Sequence, residues 1–404
     1  MNETPASSKI VTEPDQQRPG FAVMDLVWLA LPIALLGLAA AWLLLADPLR
    51  VFDSGAPPVE QLTFERTLLD ADGIHLRVRA GGSQPMTIAQ VQVDEAYWTF
   101  TQDPPGDLAR LSTAWLHIPY SWVLGEAHNV KVVTNTGTGF EHEIAVAVTT
   151  PEPSYNQLLP QALVGAFVGI LPVAIGLMFF PLLSRVGQTG IAFVLALTVG
   201  LLAFLLVDTI EDAMELAGRA AAAFQGHVLV IVAALSTFLL LLAVGRRHGA
   251  PTGLALATYI ALGIGLHNLG EGLAIGAAFA AGAAGLGTFL VLGFTLHNIT
   301  EGIGIAAPLL RSRPTLTNFV GLALLAGAPA IVGMWLGSLA YSPQWSALAL
   351  AVGAGAILQV IVEVSAYLAR TSGGTTSALT QPATIGGIVL GIALMYTTGM
   401  LVKI

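Results

Sequence analysis

The chain has 404 residues, 55% of them hydrophobic and only 10% charged, against roughly 25% charged in an average soluble domain. A net charge of −9 excludes a nucleic-acid binder, which needs clustered Lys and Arg to displace phosphate counterions. The chain has no cysteine, which excludes disulfides and thiolate metal sites, so any transition-metal ligand has to be His, carboxylate, amide or thioether.

Residues 1–23 are polar and read as a disordered cytoplasmic tail. The apolar stretch 24–46 is long for a signal-peptide core and lacks a small-residue cleavage site, so it reads as an uncleaved transmembrane anchor. Over 50–154 the composition changes to short alternating runs such as "LTFERTLLDADGIHLRVRA" and "NVKVVTNTGTGFEHEIAVAVTT", separated by turn residues. That alternation is strand patterning and predicts a small all-β sandwich domain. Its four histidines, His75, His117, His128 and His142, are scattered, and structural or partner-binding roles are favoured for them over a dedicated metal site.

From 159 to 404 the sequence is again lipid-compatible, with eight expected spans at 159–184, 189–208, 226–245, 255–279, 284–309, 315–340, 345–368 and 383–403, each near the length that crosses a hydrocarbon core. Arg185 follows the first, Arg246 and Arg247 the third, Arg311 and Arg313 the fifth, and Arg370 the seventh. All four basic loops fall on one side, which the positive-inside rule assigns to the cytoplasm. The expectation is a multi-pass protein of the plasma (inner) membrane with a cytoplasmic N-terminus and an extracytoplasmic β-domain and C-terminus. An internal correspondence is also visible: Pro172 and Gly176 in the first span match Pro329 and Gly333 in the sixth, and Gly200 and Asp208 in the second match Gly355 and Glu363 in the seventh. The paired spans start on opposite faces, so the pattern is an inverted repeat, an architecture of secondary transporters.

The fourth span contains "HNLGEG" and the fifth "HNITEG". Residues four apart share a helix face, so His267 points with Glu271, and His297 with Glu301. Counting about 1.5 Å per residue from the turn near 282 brings both motifs to similar depth on antiparallel neighbours. A carboxylate at that depth is costly without a partner, and no Lys or Arg lies between residues 250 and 310. A divalent cation supplies the missing charge, and mixed imidazole and carboxylate ligands suit zinc and its first-row neighbours. One such pair could be a hydrogen-bonded core feature; two copies on adjacent spans favour metal. Asn268 and Asn298 are positioned to add carbonyl oxygens or to hold the ligands.

These two motifs, on the fourth and fifth of eight spans, resemble those of the ZIP (Zrt/Irt-like) divalent metal transporters over residues 159–404. The resemblance implies an all-α polytopic membrane protein, here an eight-helix bundle with an added anchor and β-domain. It implies metal ligation by His267, Asn268, Glu271, His297, Asn298 and Glu301. It also places Gln359 and Glu363 on the family's acid-terminated seventh helix. The sixth span lacks the acid with which many members bridge a second metal, and the loop after the third span holds only His248. Asp208, Glu211 and Asp212, at the expected outer end of span two, are candidate cation attractors, and Glu363 a candidate exit residue.

The expected function is uptake of a divalent transition metal, zinc foremost, with Fe, Mn and Cd as further candidates. No enzymatic activity and no prosthetic group are expected. The expected partners are divalent cations, the lipid bilayer, a second copy of the chain and an unidentified ligand of the β-domain. A membrane metallohydrolase or a metal-sensing receptor using the same site are the alternatives. The first would need a general base beyond the ligands, as in HExxH, which is absent.

Overall fold

The computed structural model describes residues 23–46, 59–150, 155–247, 249–280, 284–339 and 342–402. The expected tail over 1–22, most of the "TPEPS" linker, and His248 lie outside them. Helix α1 (Val23–Ala46) belongs to a unit of its own. Its 24 residues rise about 36 Å, and Ile33, Leu35, Leu36 and Leu38 are exposed along it.

The β-domain contains β1 (Leu62–Asp70), β2 (Gly73–Ala80), β3 (Ile88–Val93), β4 (Ala96–Trp98), β5 (Thr101–Asp103), β6 (Thr113–Ile118), β7 (His128–Thr134) and β8 (Gly139–Ile144). They form two four-stranded sheets, ordered β1-β2-β6-β5 and β4-β3-β7-β8, with every pairing antiparallel. Alternation fixes the faces: Ile74, Leu76 and Val78 of β2 join Leu116 and Ile118 of β6 and Val91, Val93, Val130 and Val132 of the other sheet in one core. A register shift in β1 between Phe64 and Arg66 makes Glu65 the extra residue of a bulge. Bulges re-aim a side chain, and here the carboxylate leaves the core to meet Arg79 at 2.5 Å and Arg77 at 3.6 Å.

Among the described residues, eight helical segments are long and apolar enough to cross a membrane, the mark of a multi-pass membrane protein. The first expected span is three pieces, α2 (Leu158–Val168), α3 (Ile170–Leu177) and α4 (Phe180–Leu183). Then come α5 (Gln188–Arg219), α6 (Gly226–Gly245), α7 (Gly253–Ala280) and α8 (Ala284–Ala306), which runs into a 3-10 turn over Ala307–Arg311. The sixth span is also divided, into α9 (Leu316–Gly327) and α10 (Pro329–Leu339). The seventh is α11 (Pro343–Thr371), and after the short α12 (Thr375–Thr380) the eighth is α13 (Pro382–Val402). Helices α7 and α11 are the most enclosed, whereas α6 and α13 leave most of their apolar surface outward, as lipid-facing helices do.

Both divided spans depart from the continuous helices expected, for the same reason. Proline lacks the N–H that closes the helical turn behind it, and Pro172 and Pro329 each lie close to a break, beside Gly169 and Gly327. The breaks cross one another: a Cβ on Gly169 would strike the Gly327 carbonyl, and one on Gly327 would lie 2.5 Å from Ile170 Cα. The matched glycines have matched neighbours. Gly176 of α3 lies against the Ile299 carbonyl on α8, and Gly333 of α10 against the Leu269 carbonyl on α7. Likewise Gly200 of α5 meets Ile388 on α13, and Gly355 of α11 meets Ala234 on α6. Small residues permit this backbone approach where no hydrophobic effect drives helices together.

The bulged Glu65 also ties the β-domain to the bundle. Gln344, at the start of α11, donates to its carboxylate at 3.2 Å, and Arg79 lies over the Phe224 ring at 5.6 Å, in the turn before α6. Glu65 is only 4% exposed. Glu65→Ala, which removes the carboxylate that Arg79, Arg77 and Gln344 share, is expected to destabilise the protein by on the order of 3 kcal/mol, against about 1 kcal/mol for Gln344→Ala. Thermal unfolding of the full chain in detergent measures both.

Candidate metal centre

The glycine contacts hold α7 and α8 against the divided spans, and the two motifs meet where these helices adjoin. His267 Nε2 is 3.0 Å from Glu271 Oε1, and His297 Nε2 contacts the same oxygen. One carboxylate thus links both imidazoles. Glu301, the fourth member, is 4% exposed, and neither of its oxygens has a hydrogen-bond partner. Nitrogen and oxygen atoms of His267, His297 and Glu301 all lie within 4.8 Å of one another. A buried carboxylate without a partner is among the costliest arrangements a protein can hold. The ion pairs found here involve only the two histidines, so a cation fits this donor set.

Asn268 and Asn298 serve the fold as well as the site. Asn298 Nδ2 donates to the Val168 carbonyl at 3.0 Å, the group four residues before Pro172 that no helical N–H can reach. Asn268 Nδ2 donates to the Ala326 carbonyl at 3.1 Å, beside the other break. Each amide thereby fills a gap in a divided span. Their Oδ1 atoms are buried without partners, in keeping with the expected carbonyl donors, and Asn298 Nδ2 also reaches Glu271 Oε2 at 3.2 Å.

A cavity of about 230 Å³ leads away from His267, Glu271 and His297, past Asp208, Thr209 and Asp212, to Glu215. The expectation that span two ends near residue 208 is corrected here. Helix α5 continues to Arg219, so Asp208 and Asp212 lie inside the helix and, with Glu215, recur at i, i+4 and i+7 on its cavity face. Glu211 is exposed and does not line the cavity. Thr209 was not expected: its hydroxyl is 3.3 Å from His267 Nδ1, and the acidic stripe beside it was the signal that could have found it. Phe294 packs edge-on to His297 at 5.4 Å between centroids.

Gln359 and Glu363 are not part of this cluster. Gly353 of α11 lies beside His267, which puts Glu363 ten residues, about 15 Å, further along. Glu363 is fully buried and accepts from Arg246 Nε at 2.7 Å. Gln359, one turn nearer the site, is also buried. The acid read as an exit residue is therefore locked in an ion pair at the far end of the bundle from Gln344.

Two stability predictions follow from these partners. Asn268→Leu and Asn298→Leu are each expected to cost on the order of 2 kcal/mol by leaving a carbonyl unmatched, seen as a lower unfolding temperature in detergent. Arg246→Ala leaves Glu363 buried without its cation and is expected to destabilise by a similar amount, while the double change to Arg246→Ala/Glu363→Gln recovers part of it.

Neither a scan against protein-family models nor a search of curated proteins finds a match to this chain.

Proposed function

We propose that this chain is a divalent transition-metal transporter of the ZIP kind, with zinc as its foremost cargo and iron, manganese and cadmium as further candidates. The observation that carries the reading is Glu301, a buried carboxylate whose two oxygens lack partners beside two imidazoles and a second carboxylate. The three donors that converge within 4.8 Å, two imidazole nitrogens and a carboxylate oxygen, match the ligand preferences of these cations.

In this reading α1 is a membrane anchor, the β-domain lies outside and the arginine-bearing loops lie in the cytoplasm. The acidic face of α5 draws cations toward the cavity. Binding displaces the protons that the imidazoles share with Glu271, since metal ligands must be deprotonated. In this reading the Arg246–Glu363 pair marks the closed cytoplasmic end, and the cavity that runs past Asp208 and Asp212 is the side open to the outside. Asp208 and Glu363 occupy matched positions of the inverted repeat, one facing the open cavity and the other held in the closed end. Exchange of these roles between the repeats gives alternating access about a fixed site.

Uptake of radioactive Zn²⁺ into proteoliposomes, with Fe²⁺, Mn²⁺ and Cd²⁺ as competitors, tests the reading. Wild type is expected to show saturable flux. Loss of a residue that merely supports a ligand lowers affinity by roughly 10–100-fold, so His267→Ala/His297→Ala and Glu301→Gln, which remove ligands themselves, should lose at least that much. Tight Zn²⁺ binding with no flux in sealed vesicles would overturn transport in favour of a metal sensor.

A further inference from the structure

The β1-β2-β6-β5 sheet carries a second pair of imidazoles on its outer face. His75 of β2 stands directly opposite His117 of β6 in the strand register. Their neighbours Ile74, Leu76, Leu116 and Ile118 point into the core, so both rings project the other way. The two Nδ1 atoms are 2.7 Å apart. Behind them, Asp70 Oδ1 lies 2.9 Å from His75 Nε2. That carboxylate holds His75 by Nε2 and leaves Nδ1 turned toward His117.

The pair is held in place before any ligand arrives. Asp70 is anchored by the amides of Asp72 and Gly73 in the β1–β2 turn, and Trp115 stacks on His117 with centroids 6.4 Å apart. A cavity of about 320 Å³ opens on the two rings, and Asp72, Thr99 and Thr101 also line it. A direct N–H···N bond between the rings would satisfy their spacing, but it would not need the cavity that opens on them. A carboxylate holding the far nitrogen of an imidazole is the support that metal-binding histidines use. Two bonds of 2.0–2.1 Å at a tetrahedral angle put the nitrogens roughly 3.3 Å apart, a small opening from the spacing found. The same sheet face presents Glu65 and Arg79 to the bundle, and Arg77, the next outward residue after His75, is drawn toward Glu65.

We propose that the facing imidazoles of His75 and His117 form a second binding site for a first-row divalent transition cation, with solvent completing its coordination, separate from the site in the bundle. Its chemistry stands apart from the transport reading; only its placement outside the cytoplasm rests on the proposed topology. Zn²⁺ binding to the purified full chain in detergent tests it by equilibrium dialysis. With the bundle site removed by His267→Ala/His297→Ala, one Zn²⁺ per chain should remain and be lost when His75→Ala/His117→Ala is added. Asp70→Asn, which keeps both imidazoles, should weaken that Zn²⁺ by on the order of tenfold. In the wild-type chain, where no substitution can disturb folding, Zn²⁺ should protect His75 and His117 from diethyl pyrocarbonate, read by peptide mass spectrometry. No Zn²⁺ on the bundle-site variant, Zn²⁺ that survives loss of both histidines, or labelling of His75 and His117 unchanged by Zn²⁺ would each overturn the proposal. None of these results depends on whether the vesicles show flux.

Discussion

Glu301 sets the terms for the bundle, because a carboxylate enclosed among apolar helices must be matched by charge or remain a large liability. Glu271 is matched by two imidazoles, and Glu301 is left with both oxygens bare. Holding such a group in place requires a rigid surround. The glycine contacts provide it by letting α3 and α10 touch the backbones of α8 and α7 just beyond each histidine. Each asparagine then closes a gap that a divided span would otherwise leave. The polar centre and the broken helices are thus one construction: the breaks release carbonyls, and the motifs supply amides to meet them.

The β-domain shows the same economy with charge at a wetter boundary. At the bulge in β1, Glu65 lies outside the core beside two arginines and Gln344. Elsewhere on the domain, Asp94 is drawn into a local network. Burial pushes its carboxyl up, but hydrogen bonds from the Asn129 amide, His128 and Tyr120 outweigh this and hold it below the usual carboxylate range.

Much of this was legible in the sequence because it rests on period and spacing. Eight apolar stretches, the i and i+4 pairing of His with Glu, and the alternation from residue 62 onward each express a local rule. The convergence of His267 with His297 followed from counting rise per residue on two helices joined by a short turn. What escaped was non-local. The division of the first and sixth spans depends on how Gly169 meets Gly327, which a single segment does not reveal, although Pro172 and Pro329 were in plain view. The full length of α5 is not visible in its sequence, because acids in an apolar span ordinarily mark its end, whereas here Asp208, Asp212 and Glu215 line the cavity beside the helix. Arg246 could not be assigned, since it gains its meaning from a partner 117 residues away, and Thr209, whose partner is 58 residues away, was marked only by the acidic stripe beside it. The facing of His75 and His117 required strand register, and scattered histidines in a linear reading gave no hint of it.

The double duty of Asn268 and Asn298 carries a mechanical consequence. Each amide group joins a divided helix at its nitrogen end, while its oxygen end is buried with no partner beside the cluster. An ion drawing on that oxygen would polarise the amide and strengthen its N–H bond to the carbonyl at the break, as hydrogen bonds in a chain reinforce one another. Occupancy of the centre would then stiffen the crossing of the first and sixth spans, and an empty centre would leave it slack. If the proposed transport reading holds, the side chains that meet the ion would be the same ones that set the stiffness of the crossing between the first and sixth spans.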